Sequence, residues 1–183
     1  MSQMSEIITC PAEPNEHIAA ELWLGHLARG QTGQLVILSG SMAPLLQPGE
    51  KVRVTPHFRP VLPGDLVVFR QRDRLVCHRI MFPYKRWCYL QKGDANQQWE
   101  KVVAVDIIGK PDLLLTANTQ VPLQGPRFRF YNTWLWMLIL TRDLARPLTR
   151  RLPRGSYWFE RLFSRSTAAI ISRVRRTGET EIS

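Results

Sequence analysis

Hydrophobic residues change their spacing twice along the chain. From Gln34 to about Thr116, short runs rich in β-branched and aromatic residues alternate with turns that contain Pro or Gly, a pattern typical of β-strands. The predicted strands are "QLVIL", "KVRVT", "DLVVF", "RLVCHRIM", "RWCYLQK" and "DLLLT". Short strands at such close spacing predict a compact, mainly β domain, built as a small barrel or a coiled sheet.

Helical spacing is found on both sides of this β region. "NEHIAAELWLGHLARG" predicts one short helix, with Asn15 as its N-cap and Gly30 as its stop. Beyond the β region, aromatic, aliphatic and Arg residues mix as in amphipathic helices. We therefore divide the chain into an N-terminal tail and short helix over 1–33, a β domain over 34–122, and a basic helical arm over 123–183.

Composition limits the class of protein. With 183 residues and 44% hydrophobic content, the chain fits one modest domain with a core and appendages. Its three cysteines form no CxxC pair, so we expect a reducing compartment, no disulfide framework and no structural zinc site. We also expect no bound metal and no cofactor. The longest apolar run, "WLWMLIL", is far shorter than the about 20 residues of a spanning helix, and the first thirty residues carry no signal-peptide pattern. We expect a cytoplasmic protein.

The positive charge is concentrated in the C-terminal arm. Residues 127–176 contain 12 arginines, no lysine and only two acids, Asp143 and Glu160, so they account for the whole formal net charge of +10. Such an arm could lie on an anionic membrane surface, or pack its apolar face on the β domain or on a partner protein. It could also bind nucleic acid, a partner that we favour least.

The segment "LVILSGSMAPLLQPGE" ends an apolar strand in two hydroxyl side chains. Gly40 allows the backbone to turn tightly, and Pro44 ends strand pairing. Ser41 is therefore offered from a rigid strand end, as a nucleophilic serine requires. Ser39 lies two residues earlier and would face the same side of a strand. Its hydroxyl and the Ser41 N–H are candidate donors to a developing oxyanion.

A nucleophilic serine needs a general base, and the candidate is His78. Of the four histidines, it alone lies inside a predicted strand of the β domain. The carboxylate that would orient its imidazole comes from "LQKGDANQQWEK", with Asp94 as the first candidate and Glu100 as the second. Cys77 directly precedes His78, and adjacent strand residues point to opposite faces of a sheet. His78 could therefore not easily serve as the base for Cys77, which makes Cys77 a poor candidate for a nucleophile.

These segments resemble, in order and spacing, the signal peptidase I superfamily, which includes the self-cleaving SOS-type repressors. The pattern S-x-S-M-x-P-x-L-x-x-G-D is matched from Ser39 to Gly49, with Glu50 in place of the Asp, and "PGDLVVFR", "LVCHRIM" and "QKGDANQ" follow. Bacterial signal peptidases and SOS repressors place a lysine where this chain has His78. The chain is therefore similar to the archaeal, spore-former and endoplasmic-reticulum branch, which uses a Ser-His-Asp arrangement.

The resemblance covers about residues 34–110. Signal peptidases carry an N-terminal membrane anchor, whereas this sequence looks most like the small anchorless bacterial proteins of the superfamily. Its basic arm has no counterpart in the family pattern. The resemblance implies a signal-peptidase-like fold and a serine endopeptidase that cleaves a protein or peptide precursor through an acyl-enzyme on Ser41. Such an enzyme would act from the cytoplasm, where docking on the inner face of the membrane is one of the roles open to the arm.

Two other functions are compatible with the sequence. A non-catalytic peptidase fold could hold a peptide strand in the same cleft, which the short loop before Trp99 favours. A regulator akin to the SOS repressors is disfavoured, because a single N-terminal helix is not a helix-turn-helix and His78 replaces the lysine of that mechanism.

Overall fold

A single antiparallel β-sheet forms the centre of the computed structural model, which describes residues 25–27, 29–56, 60–72, 74–116, 119–149 and 155–179. Side chains of the two C-terminal helices are described at 126–145 and 163–176. The strands are β1 (Gly33–Val36), β2 (Lys51–Pro56), β3 (Leu66–Gln71), β4 (Arg74–Lys85), β5 (Cys88–Lys92), β6 (Glu100–Val103), β7 (Ile107–Leu115) and β8 (Gln120–Pro122). The helices are α1 (Pro126–Thr149) and α2 (Gly155–Glu179).

The strand order across the sheet is β1-β2-β7-β3-β4-β5-β6, and β8 pairs with β7. The mainly β prediction is confirmed, and each of the six predicted strands overlaps an observed strand. Over the residues described, the sheet stays open, with β1 and β6 at its two ends, and does not close into a barrel. β6 and β8 were not predicted, because runs of three or four residues carry too little periodicity to be distinguished from loops.

The sheet has apolar side chains on both faces. The larger core contains side chains from β1 to β4 and from both helices, for example Val68, Met81 and Ile139. A smaller cluster on the other face consists of Val67, Phe69, Ile80 and Val102. Successive residues of β3 and β4 therefore divide between the two clusters, as the alternation of side chains along a strand requires.

Both C-terminal helices pack on the β domain. α2 contacts α1 and β8, and the Arg175 side chain bonds the Leu45 carbonyl and the Glu50 carboxylate. In the part of the chain that is described, we find no helix with the length and apolar character needed to cross a membrane. Most of the predicted N-terminal helix lies outside the described residues. Of its described part, residues 25–27 are helical.

Polar contacts join α1 to the turn that follows β5. The Asp143 carboxylate accepts hydrogen bonds from Lys92 Nζ at 2.5 Å and from Trp99 Nε1 at 2.9 Å, and Arg142 donates to the Asp94 carbonyl at 2.9 Å. Burial opposes ionisation of Asp143, but the hydrogen bonds from Lys92 and Trp99 outweigh it, so the pKa of Asp143 lies below its ordinary value. Through these contacts α1 supports one wall of the candidate site.

Candidate active site

Ser41 is held by its backbone rather than by a strand ladder. β1 ends at Val36, and Ser41 lies in a single 3-10 turn, Gly40–Met42, which is anchored by the buried side chain of Met42. The Ala95 N–H donates to the Ser41 carbonyl at 2.8 Å. Gly93 lies so close that a Cβ there would come within 2.5 Å of the same carbonyl oxygen. The turn after β5 therefore fixes the position of Ser41, and glycine is required for this approach.

His78 lies beside Ser41, as the sequence predicted. Its Nε2 is 3.1 Å from Ser41 Oγ, which is hydrogen-bonding distance. The imidazole is supplied by β4, where His78 pairs with Val67 of β3, and the Phe69 ring packs edge-on against it at a centroid distance of 6.0 Å. Ser39 also lies at the site, since its hydroxyl donates to Ser41 Oγ at 3.1 Å.

The other nitrogen of the imidazole faces Gln91. His78 Nδ1 lies 2.6 Å from Gln91 Oε1, and the Gln91 side chain is completely buried. An amide oxygen can only accept a hydrogen bond, so we assign the proton to Nδ1. Nε2 then carries the lone pair and accepts the Ser41 hydroxyl proton, which is the tautomer that a general base requires.

Glu100 lies behind Gln91 and fixes the orientation of its amide. Gln91 Nε2 donates to Glu100 Oε2 at 3.2 Å, and Gln71 Nε2 donates to the same oxygen at 3.0 Å. Because the amide nitrogen faces a carboxylate, the amide oxygen must face His78. Glu100 is thus brought to the site, as one of the two acids predicted, but it lies one side chain further from the imidazole.

The environment of His78 favours the neutral ring. Burial lowers the pKa of His78 below its ordinary value of 6.5, although the hydrogen bond to Gln91 and the charges of Glu100 and Asp94 act in the opposite direction. Burial also raises the pKa of the neighbouring Cys77 thiol to about 12, so this thiol stays protonated.

Asp94 is not behind the imidazole, where the sequence predicted it. Its carboxylate makes a two-pronged ion pair with Arg79, with Nε–Oδ1 and Nη2–Oδ2 both at 2.7 Å. Arg79 also donates to the Gly64 carbonyl and to Asn132. Since Arg79 follows His78 directly in β4, its side chain points to the opposite face of the sheet. Asp94 therefore joins the sheet to α1.

Replacing Asp94 by alanine is expected to lower the free energy of unfolding by about 3 kcal/mol, because the fully buried Arg79 would lose its counter-charge. The control is Asp112→Ala, which breaks the ion pair with the partly exposed Arg53 and is expected to cost no more than about 1 kcal/mol. Urea unfolding of both variants measures the difference. Equal losses of stability would contradict the structural role of Asp94.

Gln91 is the site residue that the sequence did not predict. Directly opposed residues of antiparallel strands share a face, and Gln91 is opposite Ile80, two residues from His78, and also opposite Glu100 of β6. The β4–β5 register would have identified it. The register cannot be counted back from the turn between β4 and β5, because the pairing of these strands contains two register shifts. They lie between Ile80 and Phe82 and between Pro83 and Lys85.

Comparison with protein-family models and with curated proteins finds no match to this chain. Among the described residues, no group of three or more His, Cys, Asp or Glu side chains is placed to hold a metal ion. The site is thus defined by one continuous series of hydrogen-bonded side chains, Ser41, His78, Gln91 and Glu100.

Proposed function

We propose that this protein is a serine endopeptidase of the signal-peptidase type, which cleaves a protein or peptide precursor through an acyl-enzyme on Ser41. The observation that carries the proposal is the pair of hydrogen bonds made by His78, at 3.1 Å to Ser41 Oγ and at 2.6 Å to Gln91 Oε1. A hydroxyl, a base and a group that orients the base are the three parts of an activated serine nucleophile.

The proposed reaction begins when His78 Nε2 takes the Ser41 hydroxyl proton while Oγ attacks the scissile carbonyl carbon. The Ser41 N–H and the Ser39 hydroxyl, whose Oγ lies 3.1 Å from Ser41 Oγ, are the candidate donors to the oxyanion. His78 then gives the proton to the leaving amine, and the C–N bond breaks. Water hydrolyses the resulting ester, with His78 again acting as the base.

Gln91 and Glu100 are positioning residues in this proposal. Gln91 holds the productive tautomer of His78 but carries no charge to stabilise the imidazolium that forms during attack. Glu100 supplies that charge from behind the amide, and its hydrogen bond polarises Gln91 in the favourable direction. The amide thus passes on part of the effect that a carboxylate exerts directly in a Ser-His-Asp arrangement.

The proposal predicts a pH profile. Only neutral His78 can act as base, so kcat/KM is expected to rise with pH and to level off above the pKa of the free enzyme. Because burial depresses the pKa of His78, the midpoint of this rise should lie below about pH 6.5. The measurement is digestion of a diverse peptide library across acid and neutral pH, with new chain ends identified by mass spectrometry. A rise centred in the alkaline range, or no new ends at any pH, would count against the proposal.

A non-catalytic peptide-binding module is the second candidate, and the uncharged Gln91 behind His78 is the observation that favours it. Such a module would retain library peptides without cutting them, and it would bind them equally well after His78→Gln. The same library separates the two functions, because an endopeptidase produces new chain ends and a binding module only enriches intact peptides.

A further inference from the structure

Among the α1 side chains that the structure describes, four large apolar ones are exposed to solvent. They recur at intervals of four, three and seven residues, which places them on one stripe of a helix. We call this the apolar stripe; its members and their exposed fractions are Phe130 (60%), Trp134 (49%), Met137 (47%) and Leu144 (66%). The opposite face of α1, with Asn132, Leu135, Ile139 and Arg142, is buried against the domain. Packing within the described fold therefore does not explain the stripe.

The rest of the described surface of the two helices is cationic. Exposed arginines lie at the start of α1 and along α2: Arg127, Arg129, Arg165, Arg173 and Arg176. The only acid among the described side chains of these helices is Asp143, which is bound by Lys92 and Trp99 in the interior. Among the side chains described, these exposed arginines thus have no carboxylate beside them on the same helices.

We propose that the apolar stripe docks on the surface of an anionic lipid bilayer. A helix that lies in the membrane interface buries large apolar side chains, with Trp among them, while cationic side chains contact anionic headgroups. A second copy of this chain would cover the stripe but would bring arginines against arginines. Nucleic acid would neutralise the arginines but would leave four large apolar side chains against a charged backbone. A bilayer satisfies both properties.

Docking would place the candidate site beside the membrane. Asn132 on the buried face of α1 contacts β4, the strand that carries His78. Arg142 and Asp143 contact the turn after β5 and the last residue of β5, beside Ser41. The cytoplasmic leaflet is the anionic one in cells, so the proposal places the protein on the inner face of the membrane. Lipid binding is a separate property from peptide cleavage and can be measured without a substrate.

The experiment is flotation of the full chain with phosphatidylcholine vesicles prepared with or without phosphatidylglycerol. The wild type should float with the anionic vesicles and remain behind with the neutral ones. Trp134→Glu combined with Met137→Glu should weaken binding by about tenfold or more. The matched control is Val105→Glu, which adds a carboxylate at an 84% exposed apolar residue outside both helices and should leave binding nearly unchanged. Circular dichroism verifies that each variant folds.

Three results would overturn the proposal. The first is equal flotation with both kinds of vesicle, or with neither, because the anionic bilayer would then not be the partner. The second is unchanged binding by the folded double variant, which would place the contact elsewhere. The third is a wild-type dimer in light scattering that the double variant abolishes, because a second copy would then cover the stripe.

Discussion

The Ser41→Ala variant is expected to cut peptides at least about 10⁴-fold more slowly than the wild type, with an unchanged fold. The substitution removes the only atom of the site that would form the acyl-enzyme. Ser41 Oγ accepts one hydrogen bond and makes another with His78 Nε2. The hydrogen bond from the Ala95 N–H to the Ser41 carbonyl and the buried side chain of Met42 remain in the variant. The loss should therefore appear in the rate and hardly in the thermal midpoint.

The measurement is the rate of appearance of the new chain ends in the peptide library, compared at one pH on the plateau of the wild-type profile. Ser172→Ala is the matched control, because Ser172 is an exposed serine on α2 whose hydroxyl bonds only the nearby Ala169 carbonyl among the contacts described. It should cut at the wild-type rate. Cleavage by Ser41→Ala within about tenfold of the wild type would show that another group, or a contaminating peptidase, performs the reaction.

The β domain could be predicted because strand alternation and turn residues are local signals. β2 to β5 coincide with segments of branched and aromatic residues, and the turn sequences "QPGE", "LPGD" and "KGDANQ" lie beside β2, β3 and β5. The role of α1 could not be predicted in this way. In the sequence, Arg142 and Asp143 look like two more polar residues on the exposed face of a basic helix. In the structure both side chains are largely buried against the turn after β5. Such long-range pairings leave no periodic pattern.

The same difference between local and long-range signals applies to the candidate site. Ser41 and His78 were predicted from the local features of a strand end and a strand, and the structure brings them together. The partner of His78 depends on register across β4, β5 and β6, which the sequence does not specify. Asp94 was the first candidate because it offers a carboxylate in the turn of "LQKGDANQQWEK", but the alternation of side chains along β4 gives it Arg79 as its partner.

Gln91→Leu is expected to slow cleavage by about 10³-fold, because an apolar side chain of similar size leaves the His78 Nδ1–H without an acceptor. The ring would then be free to adopt the tautomer with the proton on Nε2, which cannot accept the Ser41 proton. The variant also leaves Glu100 without the Gln91 amide. Its rate is measured with the same library, and its folding by thermal unfolding. A folded Gln91→Leu variant with the wild-type rate would exclude Gln91 as a positioning residue.

An exchange of the two side chains separates positioning from mere packing. In Glu100→Gln the amide behind Gln91 carries no charge, so the pKa of His78 should fall further and the rise in kcat/KM should move to lower pH. In Gln91→Glu combined with Glu100→Gln, the carboxylate contacts the imidazole directly and the new amide behind it can donate to that carboxylate. The pKa of His78 should then rise, and the pH profile should move to higher pH while activity is retained or increased.

Gln91→Glu alone should cleave peptides more slowly than Glu100→Gln or the exchanged pair. It sets two carboxylates within hydrogen-bonding distance and forces them to share a proton. The His78 pKa can also be followed by nuclear magnetic resonance in Ser41→Ala protein. There it reports on how Gln91 and Glu100 affect the imidazole, even if no substrate is cleaved. If Gln91 and Glu100 only fill space, the exchanged pair should lower the rate without moving the pH profile or the His78 resonance. A shift to lower pH for Glu100→Gln and to higher pH for the exchanged pair would show that the Glu100 carboxylate acts on the imidazole from behind Gln91, and that a carboxylate in place of Gln91 acts on it directly.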